Sequence, residues 1–281
     1  MTNKDLTIVI TTFKSEDKIE SCLNSIDPSI KVIIIENSNN KKFKEYIENK
    51  YRNVDCELTL DNFGYGKSNN IGLSKVKSKY SLILNPDTIL KEEAIKKFFT
   101  FIEKKINFAI LGPKQNDNFS VTPNEKNIYS KATEVEAIEG FAMFLNMEKF
   151  LKIGFFDENF FLFLEEIDLC KRIKDINEKV YLEPNIEIFH YGGKSVNKTF
   201  AQEIELTRNW HWMWSLFYYN KKHFNFCYAL LIIFPKFFSA FFKTIFYTFF
   251  LKKKKYIYLK RLSGLINSIL GKPSWYRPTL D

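Results

Sequence analysis

The chain has 281 residues, 45% of them hydrophobic and 27% charged, which excludes a disordered tail and allows one large core or two modest ones. Its formal charge of +9 sits wholly at one end. Residues 1–200 hold 29 Lys/Arg against 30 Asp/Glu, whereas residues 201–281 hold 13 against 3. These late positive charges interrupt greasy stretches instead of lining a polar face, so an anionic membrane surface is the expected partner and nucleic acid is not. The cysteines (Cys22, Cys56, Cys170 and Cys227) show no metal-ligand spacing, and the first residues run into a strand with no signal-peptide pattern. Reduced thiols and a cytoplasmic location are expected.

In chain order, Leu6-Thr7-Ile8-Val9-Ile10 predicts a buried strand ending at Thr11-Thr12. Ser15-Glu16-Asp17 opens a helix with Ile19, Cys22, Leu23 and Ile26 on one face. A second strand over 32–35 ends at Glu36-Asn37-Ser38-Asn39-Asn40, and a polar helix follows over 41–49. A third strand over 56–60 leads to Asp61-Asn62-Phe63-Gly64-Tyr65-Gly66-Lys67, a helix over 68–76, and a strand over 82–84. Alternating strands and helices with continuous apolar strands imply an α/β fold with a mostly parallel central sheet covered on both faces. Strand ends rich in polar and glycine residues then converge on one cleft, a nucleotide-binding layout. Gly64 and Gly66 lack the third glycine of a dinucleotide fingerprint, and a flexible turn explains them as well. Further on, 137–145 reads as a strand pair or long strand, 147–153 as a short helix, and 187–189 as a strand ending at His190.

Chemistry concentrates at three places. The strand Ser81-Leu82-Ile83-Leu84 stops at Asn85-Pro86-Asp87, a turn that aims a carboxylate out of the sheet edge, where it suits a divalent cation against a diphosphate. Plain turn chemistry is the alternative. Glu165, Glu166 and Asp168 directly follow an apolar, aromatic stretch and precede Lys171, Arg172 and Lys174. Helix-dipole complementarity accounts for that charge order, but a carboxylate at the mouth of an apolar cleft is also suited to accept a proton near neutral pH. His190 stands before Gly192, Gly193, Lys194 and Ser195; a structural histidine is the commoner case, yet Lys194 is suited to neutralise a phosphate.

The ordered set Thr-Ile-Val-Ile-Thr-Thr-Phe-Lys (7–14), Glu-Asn-Ser-Asn-Asn (36–40), Asp-Asn-x-Gly-x-Gly-Lys-x-Asn-Asn-x-Gly (61–72), Leu-Asn-Pro-Asp-Thr (84–88), Gly-Phe-Phe-Asp-Glu-x-Phe-Phe (154–161), Glu-Glu-x-Asp-Leu-Cys-x-Arg (165–172) and His-x-Gly-Gly-x-Ser (190–195) resembles family 2 glycosyltransferases, the rhamnosyltransferase type most of all. The resemblance covers about the first 200 residues. It implies a GT-A fold, with residues 1–200 as the catalytic domain and 201–281 as a helical membrane-associating region. Carried over by position, Thr11, Thr12, Phe13 and Glu36 would hold the nucleobase and ribose. Asp61, Asn62, Gly64, Lys67, Asn70, Asn85 and Lys194 would line the donor. Asp87 and His190 would bind Mg²⁺ or Mn²⁺, and Glu166 would be the catalytic base of an inverting transfer. Gly140, Phe141, Glu165 and Asp168 are expected on the acceptor side. Asn85 and Glu166 both stand where Asp is usual in the family.

The implied donor is a nucleotide-diphosphate sugar, with rhamnose first and galactofuranose or hexosamine as alternatives. The implied acceptor is a lipid-linked glycan or polysaccharide of the cell surface. A nucleotidyltransferase would show a glycine- and lysine-rich loop after the first strand, which Thr11-Thr12-Phe13-Lys14 is not. A non-catalytic membrane scaffold with a degenerate transferase domain is the rival from another class. In the tail, Pro235, Lys236 and Lys243 divide the apolar stretch 224–251 into pieces that fall short of a clear span, with a kinked hairpin or a true span as a further alternative, and Lys252-Lys253-Lys254-Lys255 adds a cationic cluster. Amphipathic helices on the cytoplasmic face of a bacterial inner membrane, peripheral or monotopic, are expected, with Trp210, Trp212 and Trp214 at the interface. A helical subdomain packed on the core or on a second copy, a homo-oligomer, is the alternative.

Overall fold

The apolar runs of the first 84 residues form four parallel strands in a computed structural model that describes residues 2–116, 131–191, 200–250 and 252–278. By contacts the chain divides into two units. The first is Met1–Phe156 with Glu166–Asn197, and the second is Asp157–Glu165 with Lys198–Asp281.

In the first unit, β1 (Leu6–Thr12), β2 (Lys31–Glu36), β3 (Val54–Leu58) and β4 (Tyr80–Leu84) pair in the order β3-β2-β1-β4. Helices α1 (Glu16–Asn24), α2 (Lys41–Lys50) and α3 (Gly64–Ser74) make the crossovers. Neighbouring residues of β1 serve opposite faces, as a strand's period of two requires. Ile8 and Ile10 pack in the cluster holding Ile19, Phe43 and Ile47, whereas Val9 packs with Leu73 and Leu169. At Gly72 a Cβ would lie 2.4 Å from Val9 Cγ1, so glycine is what lets α3 press on β1.

The sheet continues through elements the periodicity did not resolve: β5 (Thr88–Leu90), α4 (Ala94–Glu103), β6 (Ile110–Asn116) and β7 (Thr133–Glu134). After them come β8 (Ala142–Asn146), α5 (Met147–Ile153), α6 (Glu165–Asp175) and β9 (Val180–His190). The strand order extends β4-β8-β6-β9-β5, with β7 also on β9; β8 runs antiparallel to β4 and to β6. The sheet is therefore the expected α/β one, parallel in its first half and mixed beyond.

Several boundaries differ from the sequence reading, among them the strand expected over 187–189, which begins at Val180, and three others. The third strand begins at Val54 and ends before Thr59, whose hydroxyl bonds Glu36 O at 3.1 Å. Helix α3 starts at Gly64, because that glycine has φ +79° and turns the chain into the helix four residues early. The expected strand over 137–145 shortens to β8, since residues 137–141 run as loop and turn before the ladder begins.

The second unit is built on α7 (Ala201–His223), α8 (Phe226–Phe250) and α9 (Lys252–Ile269). Met213, Phe217, Ala229, Ile233 and Leu265 form its core. A Cβ at Gly264 would lie 2.2 Å from Trp210 O, so α9 approaches α7 at its backbone. Contrary to expectation, α8 continues through Pro235 as one 25-residue helix. Ala229 and Ile233 before the proline and Ala240 after it are all buried, which holds the two turns in line despite the missing hydrogen bond. Trp210 and Trp214 also depart from the interfacial role expected of them. Both are buried, with Nε1 donating to Ser263 Oγ at 3.1 Å and to Lys272 O at 3.0 Å; of these three expected tryptophans, Trp212 is the exposed one.

His211 is the unit's buried titratable anchor. Its ring nitrogens meet Tyr276 O at 2.7 Å and Ser274 Oγ at 2.9 Å, tying the last turn of chain to α7. Burial pushes its pKa down to about 3. The unfolded chain therefore takes up a proton below about pH 6.5 that the fold refuses. Stability falls as pH drops from there toward 3, by up to about 1.4 kcal/mol per pH unit. We predict that His211→Gln, which can still donate to Tyr276 O, flattens the pH dependence of the urea midpoint between pH 6 and 4; an unchanged slope would contradict the assignment.

Candidate active site

The chain leaves β1 toward β2 and β3, then returns to the other side of β1 as β4. The crevice outside the carboxyl ends of β1 and β4 is thus a topological switch point, where ligands of open α/β sheets bind. Thr12 closes β1, and the Asn85-Pro86-Asp87 turn leaves β4. Thr12 Oγ1 is buried there without a hydrogen bond.

The turn is held from several sides. Thr88 Oγ1 donates to Asn85 O at 2.7 Å, and Cys22 Sγ of α1 lies 3.6 Å from Thr88 Oγ1. Burial pushes the Cys22 thiol up to about 12, so it packs and does not react. Thr88 pairs with His190 in the β5–β9 ladder, and Tyr191 N donates to Asp87 O at 3.1 Å. This pairing brings His190 Nε2 to 3.4 Å from Asp87 Oδ1 and 3.5 Å from Asn85 Nδ2. Asp87 is buried, and its Oδ1 has no hydrogen bond. A buried carboxylate oxygen without a donor calls for a missing partner, and an imidazole beside it supplies a second ligand. Two protein ligands suffice for a cation that also binds phosphate oxygens, so Asp87 and His190 fit a divalent metal. Among the described residues no group of three or more metal-ligating side chains exists.

Glu166 stands in the first turn of α6. Burial, aided by the charge of Glu139, pushes its pKa up to about 7, against a backbone hydrogen bond that lowers it. A carboxyl so placed exchanges a proton near neutrality, as a general base must.

Several expected site residues use their polar atoms elsewhere. Glu36 accepts from Ser38 N at 2.9 Å, from Ser38 Oγ and from Asn40 N at 2.8 Å, so its carboxylate shapes its own loop. Asn70 donates to Phe156 O at 2.9 Å and accepts from Phe156 N at 3.0 Å, which pins the 154–156 segment. Asp168, fully buried, pairs with Arg172 at 2.8 Å, and Arg172 also donates to Phe155 O. Thr11 donates to Asn69 Oδ1 at 3.2 Å, and Phe13 N bonds Ser15 Oγ at 3.3 Å. Asn62 Oδ1 accepts from Gly64 N at 3.0 Å, Lys67 Nζ lies 4.8 Å from the Phe63 ring centre, and Asp61 is exposed. Glu165 is buried, and Gly140 and Phe141 lie in the turn before β8. Lys194, with Gly192, Gly193 and Ser195, lies outside the described residues.

Two organising residues escaped the sequence reading as individuals. Asn37 Oδ1 accepts from Thr59 Oγ1, Phe63 N and Ser68 Oγ at 2.8–3.2 Å, gathering the ends of β2, β3 and α3. Tyr65 donates to Gly140 O across 75 residues. Asn37 was visible only as part of a polar strand end, and Tyr65 only as the spacer between two glycines.

The model of the family described as glycosyl transferase family 2 matches residues 7–170, more than half of the chain. The chain belongs to that family. Among its relatives, the rhamnosyltransferase WbbL of Escherichia coli K12 is 26% identical over 241 residues, covering 73% of this chain and 88% of the relative. The low-salt glycan biosynthesis hexosyltransferase Agl10 of Haloferax volcanii is 24% identical over 195 residues, and the match spans 62% of each chain. The solved mannosyltransferase PcManGT of Pyrobaculum calidifontis, in complex with GDP-Man and Mn²⁺, aligns over 95% of this chain and 88% of its own. At a TM-score of 0.58 and 9% identity, that likeness concerns the fold alone. These similarities accord with the GT-A fold.

The ion pair inside α6 carries a separate expectation. Asp168→Ala leaves Arg172 without its buried partner and should cost about 3 kcal/mol, the lower range for breaking such a pair. Chemical denaturation reads this, and an unchanged midpoint would return Asp168 to the list of groups available for a ligand.

Proposed function

We propose that this family 2 member is an inverting glycosyltransferase that moves a sugar, rhamnose first among the candidates, from a nucleotide diphosphate to a lipid-linked glycan of the cell surface. The observation that carries the reading is the pairing, in one unit, of a cation-ready carboxylate at the switch point with a carboxyl tuned to about pH 7. The acceptor hydroxyl attacks the anomeric carbon, the bond from that carbon to the diphosphate oxygen breaks, and the acceptor proton passes to Glu166. Mg²⁺ or Mn²⁺ held by Asp87 and His190 would neutralise charge on the departing diphosphate. Asn85, standing where Asp is usual, leaves Asp87 the sole carboxylate of the turn. Thr11, Thr12 and Phe13, at the end of β1, are the donor-side groups nearest the switch point in sequence, and the family resemblance assigns them the nucleoside. The likeness to PcManGT, solved with a nucleotide sugar and Mn²⁺, supports the same direction.

The second unit supports the membrane side of the reading. Helix α8 is long and apolar enough to cross a membrane by length and composition. It exposes Phe234, Phe242, Phe246, Phe249 and Phe250, and Lys254 and Lys255 follow it in α9. Lys236 and Lys243 lie seven residues apart and so on one stripe. Spanning would place both in the hydrocarbon at about 2.5–3.5 kcal/mol each, whereas an in-plane helix lets them reach headgroups. An anionic bilayer surface is the occupant that satisfies both the aromatic face and the net charge of +10 in residues 201–281. A lipid-linked acceptor is presented at such a surface.

Two tests follow. Glu166→Gln should retain nucleotide binding while transfer falls at least about a hundredfold, and wild-type kcat/KM should rise with pH through about 7 as Glu166 loses its proton. Near-normal turnover in the variant would sink the assignment. In flotation assays the full chain should rise with phosphatidylglycerol vesicles and much less with neutral ones. A chain that stays soluble without detergent and ignores both vesicle types would remove the membrane from the reading.

A further inference from the structure

Gly140 and Phe141, just ahead of β8, touch the proposed metal-binding turn, His190, Tyr65 and the surroundings of Glu166. Phe141 O accepts from Asn85 N at 2.9 Å, extending the β4–β8 ladder by one bond into the metal-binding turn. The Phe141 ring stacks on the His190 imidazole, with centres 4.8 Å apart and planes within 10°. Gly140 O accepts from the Tyr65 hydroxyl, and Tyr65 stands one residue inside α3, the helix that follows the Asp61–Asn62 loop. Tyr65 is itself braced edge-on by Phe156 at 5.7 Å. On its other side Gly140 abuts the base. A Cβ built there would lie 3.4 Å from Tyr65 Oη and 3.6 Å from Glu166 Cβ.

These contacts differ from what an acceptor-binding segment needs. The Gly140 and Phe141 carbonyls are committed to protein donors, and the Phe141 ring is committed to His190. An aromatic lid on a metal-ligand imidazole fixes the ring's plane, as supporting contacts of metal ligands do. A glycine held by a tyrosine hydroxyl, with the Cβ of Glu166 at contact distance from where its own side chain would begin, limits where the Glu166 side chain can sit.

We infer that Tyr65, through its hydroxyl bond to Gly140, is a positioning residue that sets Glu166 relative to the Asn85–Asp87 turn and His190. This rests on the functional reading given above. The Tyr65–Gly140 bond explains why the segment is a turn and not a strand. A continuing strand would direct the Gly140 carbonyl into a ladder and deny it to Tyr65.

The inference is testable on the full chain with Mn²⁺ and a panel of UDP-, dTDP- and GDP-sugars, using the donor that the wild type hydrolyses fastest. Tyr65→Phe removes only the hydroxyl. It should lower kcat about tenfold to a hundredfold, the cost of a misplacement of up to an ångström, while the Kd of the parent nucleoside diphosphate with Mn²⁺ stays within about twofold. Tyr65→Leu also removes the donor to Gly140 O and should give the same split between kcat and Kd. Thermal melts of both variants separate this from a failure to fold. If the wild type turns over a donor and both folded variants match its kcat, the inference is overturned while the functional reading stands. If kcat and nucleotide affinity fall together by the same factor, Tyr65 serves the donor site and the inference is likewise overturned. A wild type that hydrolyses no donor in the panel overturns the functional reading and this inference with it.

Discussion

A carboxylate oxygen sealed from water without a hydrogen bond costs the fold energy, and Asp87 Oδ1 is in that state. The rest of the catalytic unit is arranged so that this is sustainable. The strand order β3-β2-β1-β4 opens a crevice at the end of β4, and the β5–β9 pairing sets His190 beside the turn. Thr88, Cys22 and Phe141 then hold its backbone and its neighbour. A buried carboxylate oxygen beside an imidazole is the observation on which the proposed cation site, shared with a phosphorylated ligand, rests.

Glu166 is tuned by the opposite device. Asp87 lacks a donor, whereas Glu166 is partly withdrawn from water, and its proton affinity rises to meet neutral pH. Under the proposed function, these two carboxylates of one unit, set in different surroundings, would divide cation binding from proton transfer. The segment 139–141 touches both environments, through Asn85 and His190 on one side and through the Glu166 side chain on the other.

Much of this was legible in the sequence because the relevant signals are local. Apolar runs ending in Thr11-Thr12, Glu36-Asn37 and Asn85-Pro86-Asp87 mark strand ends without reference to anything distant. What stayed hidden depends on partners far along the chain. That Asn70 holds Phe156, 86 residues on, and that Tyr65 holds Gly140, 75 residues on, cannot be read from either end alone. Glu36 and Asp168 show the converse, acids in suggestive motifs whose carboxylates serve the loop or helix that carries them. In the second unit, Pro235 announced a break that packing of Ala229, Ile233 and Ala240 overrides, and Trp210 and Trp214 were aromatic enough for an interface yet lie inside. Local propensity yields there to tertiary contact.

The central claim is that Asp87 waits for a cation shared with a nucleoside diphosphate. Calorimetric titration of Mn²⁺ into the protein with saturating UDP, dTDP or GDP tests it most directly. The account predicts one metal per chain with one of these nucleotides, much weaker binding without nucleotide, and loss of the metal heat in a folded Asp87→Asn variant. Metal binding that is indifferent to nucleotide, or that survives unchanged in Asp87→Asn, would contradict it.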